Sequence, residues 1–374
     1  MLRFITNTTL SIIVIIAVIS MVTASIYGGG EDFPDRTTHA IKSADALEVV
    51  ANLDYPPGNI AVSETERIFF TLHPEGRPSF NVAELIDGKA IEVQIKNDIK
   101  LRTVLSMRID RQNRLWVLDY ADHGTATPQI LAIDLNTMNV VHHYEFSSEI
   151  AGLGSHLNDF QVSHDGSKIY IANASVLALS PSIIIYDTLN KTAREVLVGH
   201  ESVMADFYVP NVEGQKMLVF GIFAVRPGVD SIALDRHEEW LYIAPVTDAH
   251  LHRVRVSDLN NLSLNQTQLA QKVERFGQKT MSDGLTSDNA GNIYLSDIEH
   301  SAIVRMKPDA TLETLIKDPK LRWPDGFSFG PEGWLYVTSS ALQDVLGKTD
   351  SYITEHGPYQ IFRVKTDSSA VAGH

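Results

Sequence analysis

Six stretches of the chain share one pattern: an opening of small or acidic residues, a run that alternates apolar and polar positions, a short polar turn, and an apolar run carrying one aromatic. They are "GNIAVSETERIFFTLH" from Gly58, "SMRIDRQNRLWVLDY" from Ser106, "NDFQVSHDGSKIYIAN" from Asn158, "DSIALDRHEEWLYIAP" from Asp230, "SDGLTSDNAGNIYLSD" from Ser282 and "PDGFSFGPEGWLYVTS" from Pro324. Alternation with period two on both sides of a Gly, Asn or Asp turn predicts two antiparallel strands in each copy. The segments that follow, among them "QILAIDLNT", "SIIIYDTLN", "LHRVRVSD" and "AIVRMKPD", alternate again and supply outer strands; "YQIFRVKTD" is expected to do so for the last copy. Helical periodicity is confined to the N-terminus and to short pieces near residues 41–51 and 258–273.

The aromatic recurs at Phe69, Trp116, Tyr170, Tyr242, Tyr294 and Tyr336, with intervals of 47, 54, 72, 52 and 42 residues. Such spacing is too irregular for a solenoid and suits blades of four short strands with variable outer loops. The reading is therefore all-β, a six-bladed β-propeller over 45–366, followed by a tail over 367–374. The recurrent aromatics are expected to pack between blades. The extra length before the fourth copy, roughly 190–228, is expected to carry a loop over one face, and that face to carry function.

The first 25 residues, with Arg3, an apolar run from Leu10 to Val22 and small residues before Ser25, read as an export signal or an uncleaved membrane anchor, with a linker over 26–44. A secreted or periplasmic location follows, with a membrane contact only if the segment is retained. There are no cysteines, so disulfides, thiolate chemistry and cysteine-based zinc sites are excluded. The formal charge is −15, from 31 Lys+Arg against 46 Asp+Glu, which argues against nucleic acid and for small cations, amines or neutral molecules. Walker, zinc-protease and Ser-His-Asp signatures are absent.

In a propeller the innermost strands open at the mouth of the central channel. Asn59, Asn158, Asp159, Asp230, Asp283 and Asp325 then converge from distant parts of the sequence. Convergent oxygens suit Ca²⁺ or another divalent cation, and crowded carboxylates raise one another's pKa. The plain alternative is that each Asp-Gly step is a turn and each aspartate bonds its own backbone. His156 and His123 lie on loops flanking these openings; His250 and His252 stand two apart on a strand.

The ordered set "LRTVLSMRIDRQNRLWVLDYADHG", "LNDFQVSHDGSKIYIANAS", "GVDSIALDRHEEWLYIAPVTDAHLHRV", "MSDGLTSDNAGNIYLSDIEHSAIVR" and "WPDGFSFGPEGWLYVTSSAL" resembles the yellow and major royal jelly protein family, over about residues 45–366. The resemblance implies a secreted six-bladed propeller, with roles that range from pigment-pathway proteins linked to dopachrome conversion to binders of biogenic amines. More distantly the blade openings resemble the senescence marker protein and gluconolactonase group, metal-dependent lactonases. That likeness implies Asp283 as metal ligand and candidate base, Asn158 near the substrate, and Asp230 in place of a ligand Asn. Asn59 stands where that group has a Glu. The expected function is binding of a small molecule at the channel mouth, with a lactonase or a dopachrome-type tautomerase as the enzymatic alternative.

Overall fold

In the computed structural model, residues 14–22, 28–96, 99–177, 179–219 and 221–373 are described. Each repeat folds into a four-stranded antiparallel sheet whose first strand begins with the opening motif. Blade 1 runs from Pro57–Val62 to Lys89–Glu92, blade 2 from Val104–Ile109 to Asn139–Glu145 and blade 3 from Leu157–Val162 to Thr192–Val196. Blade 4 spans Val229–Leu234 to Glu274–Gln278 and blade 5 spans Leu285–Ser287 to Leu312–Lys317. Blade 6 holds Pro324–Phe329, Trp334–Ser339 and Tyr359–Lys365. The first strands of successive blades touch in order, and that of blade 6 touches that of blade 1, so they line the centre of a closed ring.

Blade 6 corrects one expectation. Tyr359–Lys365 is its third strand, and the outer strand is Leu47–Leu53 from the other end of the chain, paired antiparallel with it from Leu47↔Val364 to Leu53↔Tyr359. The segment read as weakly helical is thus a short turn at Ala44–Ala46 followed by a strand. Ring closure by the N-terminal strand turns two free edges into a hydrogen-bonded pair. The helical pieces near 258–273 are present as Val256–Leu259 and Gln266–Ala270. Of the N-terminal segment read as an export signal or membrane anchor, residues 1–13 and 23–25 lie outside the described residues, 14–22 are helical, and no described helix is long and apolar enough to cross a membrane.

The recurrent aromatics are buried between blades: Phe69, Trp116, Tyr170, Tyr242, Tyr294 and Tyr336 are all at most 6% exposed. Two of them also brace the hairpin turn, because Trp116 Nε1 donates to Asp110 (2.6 Å) and the Tyr294 hydroxyl donates to Asp288 (3.1 Å). Side chains stitch the blade seams by bonding across them: Thr71 to the Leu105 carbonyl (2.9 Å), Gln161 to the Ile232 carbonyl (2.9 Å), and Ser328 Oγ from the Val62 N–H (3.0 Å).

For the Asp-Gly steps at Asp283 and Asp325, the hairpin-turn alternative does not hold, whereas Asp87-Gly88 and Asp165-Gly166 are turns. Asp325 and Gly326 lie within Pro324–Phe329, and Gly284 immediately precedes blade 5's inner strand, Leu285–Ser287. Their glycines are demanded by neighbouring backbone: a Cβ on Gly284 would sit 1.7 Å from the Asp325 carbonyl oxygen, and one on Gly326 would sit 2.7 Å from Asn59 Cα. The inner strands approach too closely for a methyl group. Gly284→Ala should therefore cost about 1–3 kcal/mol, the usual penalty of overpacking, read as a lowered urea midpoint with the fold retained.

Candidate functional site

Five of the six inner strands break register with their partners just where they open: between Pro57 and Ile60, Val104 and Ser106, Leu157 and Phe160, Val229 and Ser231, and Pro324 and Phe327. A bulge at that point re-aims the opening side chains. Pairing with the second strands makes Ile60, Phe160, Ile232, Leu285 and Phe327 equivalent. Counted back from these, Asn158, Asp230, Asp283 and Asp325 each stand two residues earlier; Asn59 stands one earlier, matching Asp159, and Gly58 holds the corresponding place in blade 1.

Asp230 and Asp283 meet. Both residues are buried and their carboxyls are close enough to act on one another, and Asp325 and Asp159 also act on Asp230 electrostatically. Burial, then the charge of Asp283, then Asp325 and Asp159, push the Asp230 carboxyl well above the usual carboxylate range. Asp325 is pushed up in the same way, by burial first and by Asp283 next, against a hydrogen bond with Ser340 that lowers it. Asp230 thus holds its proton well beyond the usual carboxylate range. Trp323 Nε1 donates to Asp283 Oδ2, and the Ser296 hydroxyl accepts the Asp283 N–H (2.8 Å), which fixes Asp283 in place. Asp230 Oδ1 is buried with no hydrogen-bond partner.

The opposite wall carries a group that the sequence reading missed. Arg108, 2% exposed, donates through one guanidinium nitrogen to both oxygens of Asp159 (2.7 and 2.9 Å) and through another to Asn59 Oδ1 (2.7 Å). Ser106 adds a hydrogen bond to Asp159 (3.1 Å). Arg108, Asn59 and Asp159 form one unit spanning blades 1, 2 and 3. Asn158 is half-buried and no hydrogen bond joins its side chain to the carboxyls. One signal would have exposed Arg108. Its repeat position, opposite the recurrent aromatic, holds Ala61, Gln161, Ala233, Thr286 and Ser328 in the other blades, so it is the one charged residue there.

His156 belongs to a neighbouring aromatic group. Its ring stacks on Tyr120 at 4.5 Å and meets His123 edge-on at 4.7 Å, and both ring nitrogens are buried without partners. Burial, with His123 and His73 adding like charge, pulls His156 down to about 3, so the imidazole is neutral. His252 is tied to Asp248 (2.6 Å), and its ring centroid stands 6.4 Å from that of His250.

Two segments cover this face. The long insertion forms two small hairpins, Asn211–Val212 with Gln215–Lys216 and Leu218–Val219 with Phe223–Ala224. Val212 and Met217 join the apolar layer that includes Val246, Met281, Ile298 and Trp323, the same Trp323 that holds Asp283. The N-terminal segment pairs with it, Glu31 bridging to Tyr208. At the other end of the channel, the C-terminal tail crosses between blades, with Gly373 N–H donating to the Phe329 carbonyl and Asn289 N–H to that of Ser369.

No curated protein matches the chain. Solved structures share its fold at low identity. A luciferin-regenerating enzyme superposes with a TM-score of 0.57 at 13% identity, covering 87% of this chain and 97% of its own. A calcium-binding regucalcin from Agrobacterium tumefaciens gives 0.55 at 15%, covering 86% and 95%. A gluconolactonase from Xanthomonas campestris gives 0.54 at 16%, covering 90% and 96%. The sequence pattern of the major royal jelly protein family matches residues 102–369, and the chain belongs to that family.

Proposed function

We propose that the protein is an exported binder of a small organic cation, a primary amine, held at the channel mouth by Asp230, Asp283 and Asp325. One observation carries this reading: Asp230 Oδ1 is a buried acceptor with no donor, inside a cluster of carboxyls whose mutual repulsion and burial push Asp230 and Asp325 up. An ammonium group supplies both the donor and the charge. The neutral stack of Tyr120, His123 and His156 beside the channel offers flat surface for the rest of such a ligand.

A divalent cation is the second reading, favoured by the same orphan oxygen and by the calcium-binding relative of this fold. Its donors would be Asp230 and Asp283, with Asn158 nearby. The residues do not fit the complete centre that the lactonase likeness implies, because blade 1 brings an amide, Asn59, whose oxygen is already taken by the Arg108 guanidinium. If the site performs chemistry, the proton kept by Asp230 is at hand to be moved, with the neighbouring Asp283 in the role of base that a tautomerase needs.

Calorimetric titration separates these readings. Wild type is expected to bind a primary amine, and Asp230→Ala and Asp283→Ala are each expected to lose about 1.5–3 kcal/mol of that affinity, the range for a charged hydrogen bond. Unchanged amine binding in both variants, or none in wild type, would refute the amine reading. Ca²⁺ uptake without amine binding would replace it with the second.

A further inference from the structure

A separate set of ligand atoms lies on the same face, carried by the second strand of blade 5 and the N-terminal segment rather than by the inner strands. We infer that Asp35, Asp297 and His300 bind a divalent transition-metal ion that pins the N-terminal segment to blade 5. One ligand atom from each of the three lies within 4.8 Å of the others, a convergence found at no other set of three His, Asp or Glu residues among those described. His300 Nδ1 is 2.9 Å from Asp297 Oδ1, and His300 Nε2 is 3.5 Å from Asp35 Oδ2.

The donors are held in advance. Asp297 ends the strand Ile293–Asp297, is 1% exposed, and accepts the His300 N–H (3.0 Å), so the turn that presents the imidazole is already made. Asp35 is held by the N–H and hydroxyl of Thr37, both at 2.8 Å. Surrounding charge also favours a cation: Asp32 and Glu299 add two carboxyls, against Lys317 and a Lys216 that stands 3.3 Å from Asp32. Asn211, whose N–H donates to Glu299, has a buried Oδ1 without a donor, an unmatched acceptor independent of the three ligands.

An imidazole beside two carboxylates suits zinc or nickel and not calcium, which takes oxygen ligands throughout. Three protein ligands leave a position for water. The structural consequence follows the chain onward from Asp35. Arg36 bonds the Lys279 carbonyl (3.0 Å), Thr38 and Thr314 exchange hydrogen bonds at 2.8 Å, and Ile41 and Lys42 donate to blade 5 before Leu47–Leu53 closes blade 6. A cation at Asp35 fastens the segment that leads into the ring's closing strand.

The test uses the purified chain stripped with EDTA and titrated calorimetrically with Zn²⁺ and Ca²⁺. Wild type should take up Zn²⁺ and unfold at a higher temperature with it; Asp35→Asn and His300→Gln should each weaken Zn²⁺ at least tenfold and abolish that thermal shift. Both positions are at least partly exposed, so the metal-free variants should match wild type by circular dichroism. Asp230→Asn should leave Zn²⁺ binding unchanged, which keeps this result apart from the channel reading. No Zn²⁺ uptake by wild type, equal uptake by wild type and both rim variants, or Ca²⁺ binding as tightly as Zn²⁺ would overturn the inference.

Discussion

Asp230→Asn is expected to raise stability at pH 8 while removing the channel's capacity for a cationic ligand. In the folded protein the Asp230 carboxyl keeps its proton above the value it has in the unfolded chain, because it is buried and faces Asp283. Below the unfolded value of 3.8 both states are protonated and the group costs nothing. As pH rises from there toward the raised folded value, the unfolded chain releases its proton and the folded one does not, so stability falls. An amide has the shape of the protonated acid and can donate to Asp283 as that acid can, but it never ionises. The variant should therefore gain about 1–2 kcal/mol at pH 8, within the common range for single substitutions, and lose the wild-type decline that sets in as pH rises above 3.8. Thermal unfolding across this pH range reads both effects. Equal slopes for variant and wild type would show that Asp230 titrates normally. A site that destabilises its host in the absence of ligand is the usual signature of function.

Arg108→Ala should be damaging in the other direction. Arg108 is the counter-charge of a buried Asp159 and the donor to Asn59, with side-chain exposures of 2% and 5% across the ion pair. Its removal strands a carboxylate in the interior, close to Asp230 and Asp325. Breaking such a pair from one side costs about 3–5 kcal/mol, whereas removing both charges together is often nearly neutral. Arg108→Ala is thus expected to lose most of that amount in urea unfolding at pH 7, and Arg108→Met combined with Asp159→Asn to recover the larger part. A double variant no better than the single one would mean that Arg108 acts through shape and not through charge.

How far these features could be read from sequence depends on how local their causes are. The inner hairpins and the buried aromatics were legible because alternation, turn residues and blade packing all act within some fifteen residues (a count on the order of one hairpin). Ring closure was not, since nothing in "LEVVANL" reveals that its partner is Tyr359–Lys365 at the far end of the chain. The acids are marked by their repeat position, but the glycine after Asp283 and Asp325 left a turn open as the alternative, because the backbone of the next blade that requires it is distant in sequence. Arg108 was hidden because alternation treats a polar residue on a strand as solvent-facing; only the comparison with Ala61 and Ser328 at the same repeat position marks it as buried. The bulge that opens blade 1 matches those of blades 3 and 6, so Asn59 aligns with Asp159 and Gly58 takes the place of Asn158, which the apolar pattern alone does not reveal.

The functional reading requires that Asp230 keep its proton in the ligand-free protein at neutral pH. Infrared difference spectroscopy between wild type and Asp230→Asn, at pH 7, observes it directly through the carbonyl stretch of a protonated carboxyl. The band should be present in wild type and missing from the variant, and it should vanish when a primary amine is added. A wild-type spectrum that shows only ionised carboxylates at that pH would contradict the account.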